Sequence, residues 1–203
     1  MKYQINEFGG ILLEFENGNI AINSGVSVKD LEKSYIINDR TPAAMIVTCE
    51  HSHRSKNAVE FCFRRHIPIF CTEYCAEALH LKSEAVKWYD IRNENAFQQY
   101  GVSMSLMPVK YDSIDPFVLK IQAGNMQYAF VFDGKITPEN ADEIFSCDKI
   151  ILQNIRSQSP GNPEFINKRI ASVYNSIEEI EMLCKTIPAA EDKIIIVPAT
   201  GSK

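Results

Sequence analysis

The stretch that decides the fold of this chain is Met45-Ile-Val-Thr-Cys-Glu-His-Ser-His-Arg-Ser-Lys-Asn57. It begins as an apolar run of strand type, passes through a polar turn and leads into a helical pattern. In an extended chain, alternate side chains point to the same face. Cys49, His51 and His53 are therefore predicted to lie on one face of the strand. Neighbours two apart lie ~6.6 Å apart along a strand, whereas residues four apart, at ~13 Å, cannot share an ion unless the chain bends.

Outward from this stretch, strands and helices alternate along the chain. Strand-type runs are Ile11–Phe15, Asn19–Ile22, Met45–Thr48, Ile67–Phe70, Val102–Val109, Phe117–Ile121, Tyr128–Phe132, Ile150–Leu152 and Ile194–Val197. Helical patterns cover Ser55–His66, Thr72–Leu81, Pro138–Phe145 after Thr137 as N-cap, and one longer helix within Pro163–Thr186. Asn17-Gly18 and Gly124-Asn125 predict hairpin turns. The mixture predicts an α/β or α+β domain in which helices cover sheets.

Length and composition narrow the class of protein. The chain has 203 residues, 45% of them hydrophobic, and a net charge of −5. One domain over residues 1–203 that buries its own core is expected, without disulfides. Composition excludes a disordered or collagen-like chain. The sequence contains no run of ~18 apolar residues, so we expect no membrane span. The opening residues lack a signal-peptide pattern, so we expect a cytoplasmic protein with six thiols. The acidic balance also argues against nucleic acid as a partner.

The deciding stretch resembles the signature loop of the metallo-β-lactamase superfamily. That loop, Thr-His-x-His-x-Asp-His, ends an apolar strand just before a helix, and Thr48-Cys-Glu-His-Ser-His-Arg54 takes its place here. Four further segments resemble the small bacterial exonuclease-like and phosphodiesterase-like members: Ile22-Asn-Ser-Gly25, which has Asn23 where Asp is usual, His66–Leu79, Asp112-Ser-Ile-Asp-Pro-Phe117 and Tyr128–Gly134. The resemblance runs from Leu12 to Val197. It implies an α+β fold with four layers (αββα), two mixed β-sheets face to face with helices on the outer faces.

The resemblance also assigns metal-ligand positions, and most hold other residues. Cys49 stands at the first histidine, His51 is retained, His53 takes the aspartate, Arg54 the third histidine, Tyr111 the later strand histidine, and Asp133 keeps the bridging carboxylate. No histidine follows His80, so the last ligand has no counterpart. An arginine cannot bind a metal and stays protonated. The resemblance therefore implies a scaffold of metal-dependent hydrolases, of phosphodiesterase or nuclease type, without an active dinuclear centre.

Three hypotheses remain open. In the first, a non-catalytic protein without a cofactor binds a small anionic ligand, such as a phosphate-containing molecule, in a cleft formed by His53, Arg54, Lys110 and Tyr111. In the second, Cys49, His51 and Asp133 hold a single zinc ion, with His53 as a further ligand or general base of a hydrolase. In the third, Cys49 is the nucleophile of a thiol enzyme, with His51 or His53 as base. Catalytic residues and oligomeric state stay unassigned.

Several other residues are given structural roles. Cys62 and Cys184, and the Cys71-x-x-x-Cys75 pair, are predicted to be buried packing residues. His66 and His80 follow helical patterns and are expected at solvated helix ends. The basic group Arg54, Lys56, Arg64 and Arg65 is interpreted as a solvated helix surface.

Overall fold

The computed structural model describes residues 2–5, 10–23, 26–37, 39–81, 86–93, 97–132, 134–153, 155–156, 158–187 and 191–197. The chain divides into two compact units. The first unit contains the residues up to Ser103 together with Ser113–Asp115, and the second contains Met104–Asp112 and Pro116–Ala199. None of the described helices is long and apolar enough to span a membrane.

The first unit contains a six-stranded mixed sheet. Its strands, in spatial as in chain order, are β1 (Lys2–Ile5), β2 (Ile11–Phe15), β3 (Gly18–Ile22), β4 (Pro42–Ile46), β5 (Ile69–Cys71) and β6 (Trp88–Asp90). The first three strands pair antiparallel, and β3 to β6 pair parallel. The helices are α1 (Val28–Leu31), which continues as a π-helical turn over Glu32–Ile37, α2 (Ser52–Arg65) and α3 (Glu73–Ala78). Residues of α2 and α3 pack with the sheet in a common apolar core that includes Met45, Phe61 and Cys75.

The second unit contains a five-stranded sheet. Its strands are β7 (Ser103–Pro108), β8 (Phe117–Ala123), β9 (Met126–Val131), β10 (Lys149–Leu152) and β11 (Ile194–Ile196), in the spatial order β11-β10-β9-β8-β7. β8 and β9 form an antiparallel hairpin, whereas β9, β10 and β11 are parallel. The helices are α4 (Pro138–Phe145), α5 (Glu164–Val173) and α6 (Ile177–Thr186). A separate apolar core joins residues of α4 and α6 to this sheet.

These two mixed sheets and their helices confirm the predicted α+β fold class. All nine predicted strands are present, with no end shifted by more than three residues, and both hairpin turns occur where Asn17-Gly18 and Gly124-Asn125 predict them. The sequence patterns did not predict β1, β6 and α1, since segments of three or four residues carry little periodicity.

The single long helix predicted within Pro163–Thr186 is wrong, because the chain forms α5 and α6 with a break between them. Asn175 causes the break, since its buried amide accepts the Ile136 N–H at 2.8 Å and donates to the Ile136 carbonyl at 2.9 Å. Ser176 then starts a new helix, with a capping box in which the Ser176 N–H donates to the Glu179 carboxylate at 2.9 Å. A tertiary bond to a residue 39 positions away therefore overrides the helical periodicity.

Candidate functional site

The deciding stretch forms a short connection between β4 and α2. β4 ends at Ile46 and α2 begins at Ser52, earlier than predicted, so His53 lies in the first helical turn. The Ser55 hydroxyl closes the turn by donating to the carbonyls of Glu50 and His51, each at 3.0 Å. The extended geometry expected for residues 49 to 53 is therefore wrong, because the chain has turned into a helix before His53. The side chain of His53 lies outside the described residues.

Asn23 and Thr48 hold the start of this connection. Asn23 follows β3, has a left-handed backbone with φ 53°, and is buried. Its Oδ1 accepts the Thr48 N–H at 3.1 Å, and its Nδ2 donates to Thr48 Oγ1 at 3.1 Å. The carboxyl end of β4 is thereby tied to the end of the neighbouring strand.

Cys49 is 2% exposed and lies near a pair of buried thiols. Cys71 ends β5, and Cys75 sits in the first turn of α3, where its N–H donates to the hydroxyl of the N-cap residue Thr72 at 3.4 Å. The hydrogen bond with the Cys71 thiol, together with burial and the nearby Cys49, raises the pKa of Cys75 far above its ordinary value. The Cys75 thiol therefore stays protonated, and the predicted packing role of Cys71 and Cys75 is confirmed.

Arg54 has a different environment from the other arginines of α2. It is 4% exposed, and its guanidinium nitrogen Nη1 is buried. Arg64 and Arg65 are exposed at the other end of the helix and pair with Glu60 and Glu32. The prediction that the basic group forms one solvated surface is therefore wrong for Arg54 and confirmed for Arg64 and Arg65, whereas the side chain of Lys56 lies outside the described residues. The Nδ1 atom of His51, the N-cap residue of α2, is buried as well.

Glu50 has a role that the sequence did not indicate. Its carboxylate accepts the backbone N–H of Ile114 at 3.2 Å. On the same loop, Asp115 pairs with Arg92 at 2.6 Å. These two contacts attach Ser113–Asp115, part of the segment that resembles the superfamily, to the first unit. Strand alternation predicted that Glu50 points to the face opposite Cys49, His51 and His53. No sequence signal therefore indicated that Glu50 positions this loop.

Tyr111 and Lys110, the other two predicted cleft residues, belong to the second unit. The Tyr111 hydroxyl lies 3.1 Å from the Tyr174 hydroxyl, and the two rings meet edge to face with centroids 5.9 Å apart. The Arg156 guanidinium lies 5.8 Å from the Tyr174 ring centroid. The Lys110 carbonyl accepts the Lys135 N–H at 3.4 Å. Tyr174 and Arg156 were both missed, because each is one polar residue in a loop or at a helix end.

Metal ligation depends on residues that the structure describes only in part. Asp133 lies outside the described residues, as does the His53 side chain. Within the part of the chain that is described, no three His, Cys, Asp or Glu side chains form a group that could hold a metal ion. The set of Cys49, His51 and Asp133 therefore stays a prediction, and so does the cleft formed by His53, Arg54, Lys110 and Tyr111.

The structure also tests the structural roles predicted for two cysteines and two histidines. Cys62 and Cys184 are buried, and His66 and His80 are exposed residues with positive φ just after α2 and α3. These placements confirm the structural roles that the sequence indicated.

Comparison with solved structures shows which known proteins share the architecture of this chain. No model of a protein family matches the chain, and no curated protein matches it. Among solved structures, the metallo-beta-lactamase fold protein YhfI from Bacillus subtilis matches with a TM-score of 0.69 and 11% identity, over 97% of this chain and 80% of that one. An isothiocyanate hydrolase from Delia radicum gut bacteria matches with a TM-score of 0.67 and 14% identity, over 98% and 84%.

A metallo-beta-lactamase from Cronobacter sakazakii, described by a HARLDQ motif, matches with a TM-score of 0.53 and 11% identity, over 98% of this chain and 74% of that one. Identities this low establish the shared architecture alone.

Proposed function

For this chain, which has the metallo-β-lactamase fold, we propose a non-catalytic role: it binds a small phosphate- or carboxylate-bearing molecule and lacks a dinuclear metal centre. The fold is one that hydrolases also have. The observation that supports the proposal is the burial of Arg54 in the first turn of α2. Arg54 stands where the resemblance calls for a metal-binding histidine.

The start of α2 favours an anion on electrostatic grounds. Backbone N–H groups give a helix N-terminus a partial positive charge, and the first turn of α2 carries no acidic residue. His51 makes no side-chain cap there. A buried guanidinium adds a fixed positive charge whose strength is little screened by water, and its planar donors match phosphate and carboxylate oxygens.

The donor chemistry does not fit two metal ions. A guanidinium offers no lone pair to a metal, and its charge repels one. Cys49, which stands at the first histidine position, is buried. The HARLDQ motif of the Cronobacter protein has arginine and glutamine at two of the histidine positions of His-x-His-x-Asp-His, so the fold tolerates such replacements.

A mononuclear zinc site is the second candidate. Cys49 and His51 lie two residues apart on the same connection, and Asp133 would be the third ligand. A thiolate, an imidazole and a carboxylate are an acceptable zinc set. Zinc would polarise a bound oxygen or lower the pKa of a bound water. Metal analysis of protein purified without chelator distinguishes the two candidates, since stoichiometric zinc that disappears in Cys49→Ala supports this one.

Binding of inorganic phosphate tests the primary proposal. We expect phosphate to raise the thermal midpoint of the wild type, because a ligand at a hundred times its Kd stabilises the folded state by about 2.7 kcal/mol. Arg54→Met should lose this effect. Arg64→Met, at an exposed arginine of the same helix, is the matched control and should keep it. If Arg54→Met does not fold, Arg54→Lys is tested in its place, because lysine keeps the positive charge but lacks the planar donors of arginine.

Two results would contradict the proposal. One is phosphate stabilisation that is equal in wild type, Arg54→Met and Arg54→Lys. The other is stoichiometric zinc or manganese in protein purified without chelator, with hydrolysis of a phosphodiester that scales with the metal content.

A further inference from the structure

The loop Ser113–Asp115 carries a buried hydroxyl group. Ser113 Oγ is shielded from solvent and has no hydrogen-bond partner among the described residues. A buried hydroxyl without a partner destabilises a fold, and the large majority of buried polar side-chain atoms in proteins are hydrogen-bonded. The described part of the chain therefore does not supply the partner that the Ser113 hydroxyl needs.

Glu50 holds this hydroxyl beside the start of α2. Its carboxylate accepts the Ile114 N–H, with distances of 3.2 and 3.4 Å to its two oxygens. That N–H belongs to the peptide group that joins Ser113 to Ile114, so the bond fixes the Ser113 backbone as well. Glu50 directly precedes His51, the N-cap residue of α2. Ser113 therefore lies next to the connection between β4 and α2, within the first unit.

The start of α2 contributes two more buried polar atoms to this part of the first unit. They are Nδ1 of His51 and Nη1 of Arg54. The loop and the connection thus bring a guanidinium, an imidazole and a hydroxyl, each with a buried polar atom, to neighbouring positions. The guanidinium and the hydroxyl come from separate segments of the chain.

Given the anion site proposed at Arg54, we infer that Ser113 contacts the same ligand and selects phosphate over carboxylate. A carboxylate has two oxygens, and a guanidinium engages both of them in a bidentate pair. A phosphate has a third oxygen outside the plane of that pair. This third oxygen accepts the Ser113 O–H, which gives the buried hydroxyl its partner.

The loop that carries Ser113 is fixed at two points before any ligand binds. One is the bond from Ile114 to Glu50, and the other is the ion pair of Asp115 with Arg92 at 2.6 Å. Binding a phosphate therefore costs little ordering of the loop. A hydrogen bond to a charged group in such a site changes affinity by about tenfold.

Calorimetric titration of the full chain with inorganic phosphate and with acetate tests the role of Ser113. We expect Ser113→Ala to weaken phosphate binding about tenfold and to leave acetate binding unchanged. Ser146→Ala is the matched control, because the exposed Ser146 hydroxyl donates to the Glu143 carbonyl at 2.7 Å. This control should bind phosphate as the wild type does.

Thermal unfolding without phosphate separates a ligand contact from a structural role. Ser113→Ala should be at least as stable as the wild type, because the change removes a buried hydroxyl that has no described partner. Ser146→Ala should have a slightly lower thermal midpoint, because it loses a hydrogen bond.

Three results overturn the inference. Unchanged phosphate affinity in Ser113→Ala, with binding lost in Arg54→Met, refutes the role of Ser113 and leaves the proposed anion site intact. A wild type that binds no phosphate refutes both. A lower thermal midpoint of ligand-free Ser113→Ala shows that the hydroxyl bonds within the protein and is not held for a ligand.

Discussion

At the scale of the residue, Asn23 combines two demands that few side chains meet. Its backbone has φ 53°, a conformation that asparagine adopts more readily than other non-glycine residues. Its buried amide bonds both the N–H and the hydroxyl of Thr48. Asn23 therefore sets the end of β4 and, through it, the path of the chain into α2.

We expect Asn23→Ala to reduce the free energy of unfolding by about 2–4 kcal/mol, since it leaves a buried N–H without its acceptor and adds backbone strain. Urea denaturation measures the loss. Asp39→Ala is the control, because Asp39 has φ 54° at an exposed site and reports the strain alone, about 1 kcal/mol. Asn23→Asp should cost less than Asn23→Ala, because a carboxylate still accepts from Thr48. Equal losses in Asn23→Ala and Asp39→Ala would show that the side-chain bonds contribute nothing.

At the scale of the element, the turn after β9 depends on a close approach of two segments. Gly134 has φ 93°, and a Cβ there would lie 2.7 Å from Val109 Cβ and collide with Val109 Cγ2. This approach lets the Lys135 N–H reach the Lys110 carbonyl. The turn thus requires glycine both for its backbone and for its space.

Gly134→Ala should destabilise the protein by about 4 kcal/mol, the sum of backbone strain and overpacking. Gly101→Ala is the matched control, since Gly101 also has a positive φ of 69° but nothing lies within 4 Å of its Cβ position. We expect it to cost about 1 kcal/mol from strain alone. Urea denaturation of both variants checks the difference, and a loss of the same size in both would refute the role of Val109.

Some helix boundaries depend on neighbouring residues and others on residues far away in the chain. Pro138 and Thr137 correctly predict the start of α4, because capping is a local interaction. The break between α5 and α6 depends on Asn175 bonding Ile136, and the hydrophobic spacing across the break gives no sign of it.

At the scale of the whole molecule, all six cysteines are buried free thiols. Burial raises the pKa of Cys62 and of Cys147 as well, and only the thiolate form reacts. Because all six thiols are buried, we expect them to be unreactive in the folded state.

The native protein should show almost no reaction with Ellman's reagent at pH 8, and six thiols should react in guanidinium chloride. Lys168→Cys, at an exposed position on α5, is the control and should add one fast thiol to the native protein. Mobility in a denaturing gel should not depend on reductant. Fast labelling of any native cysteine of the wild type would contradict the burial of all six.

The sequence by itself determined the α+β class, nearly every strand and the turn chemistry, because periodicity, capping and glycine turns act over a few residues. Through its resemblance to the superfamily, the sequence also predicts that Cys49 and Arg54 stand at two of the metal-ligand positions. Only the tertiary structure decided that Arg54 is buried while Arg64 and Arg65 are solvated, that Glu50 binds Ile114, and that Cys49 lies near Cys71 and Cys75. Those facts depend on contacts between residues far apart in the chain, and no local pattern records such contacts.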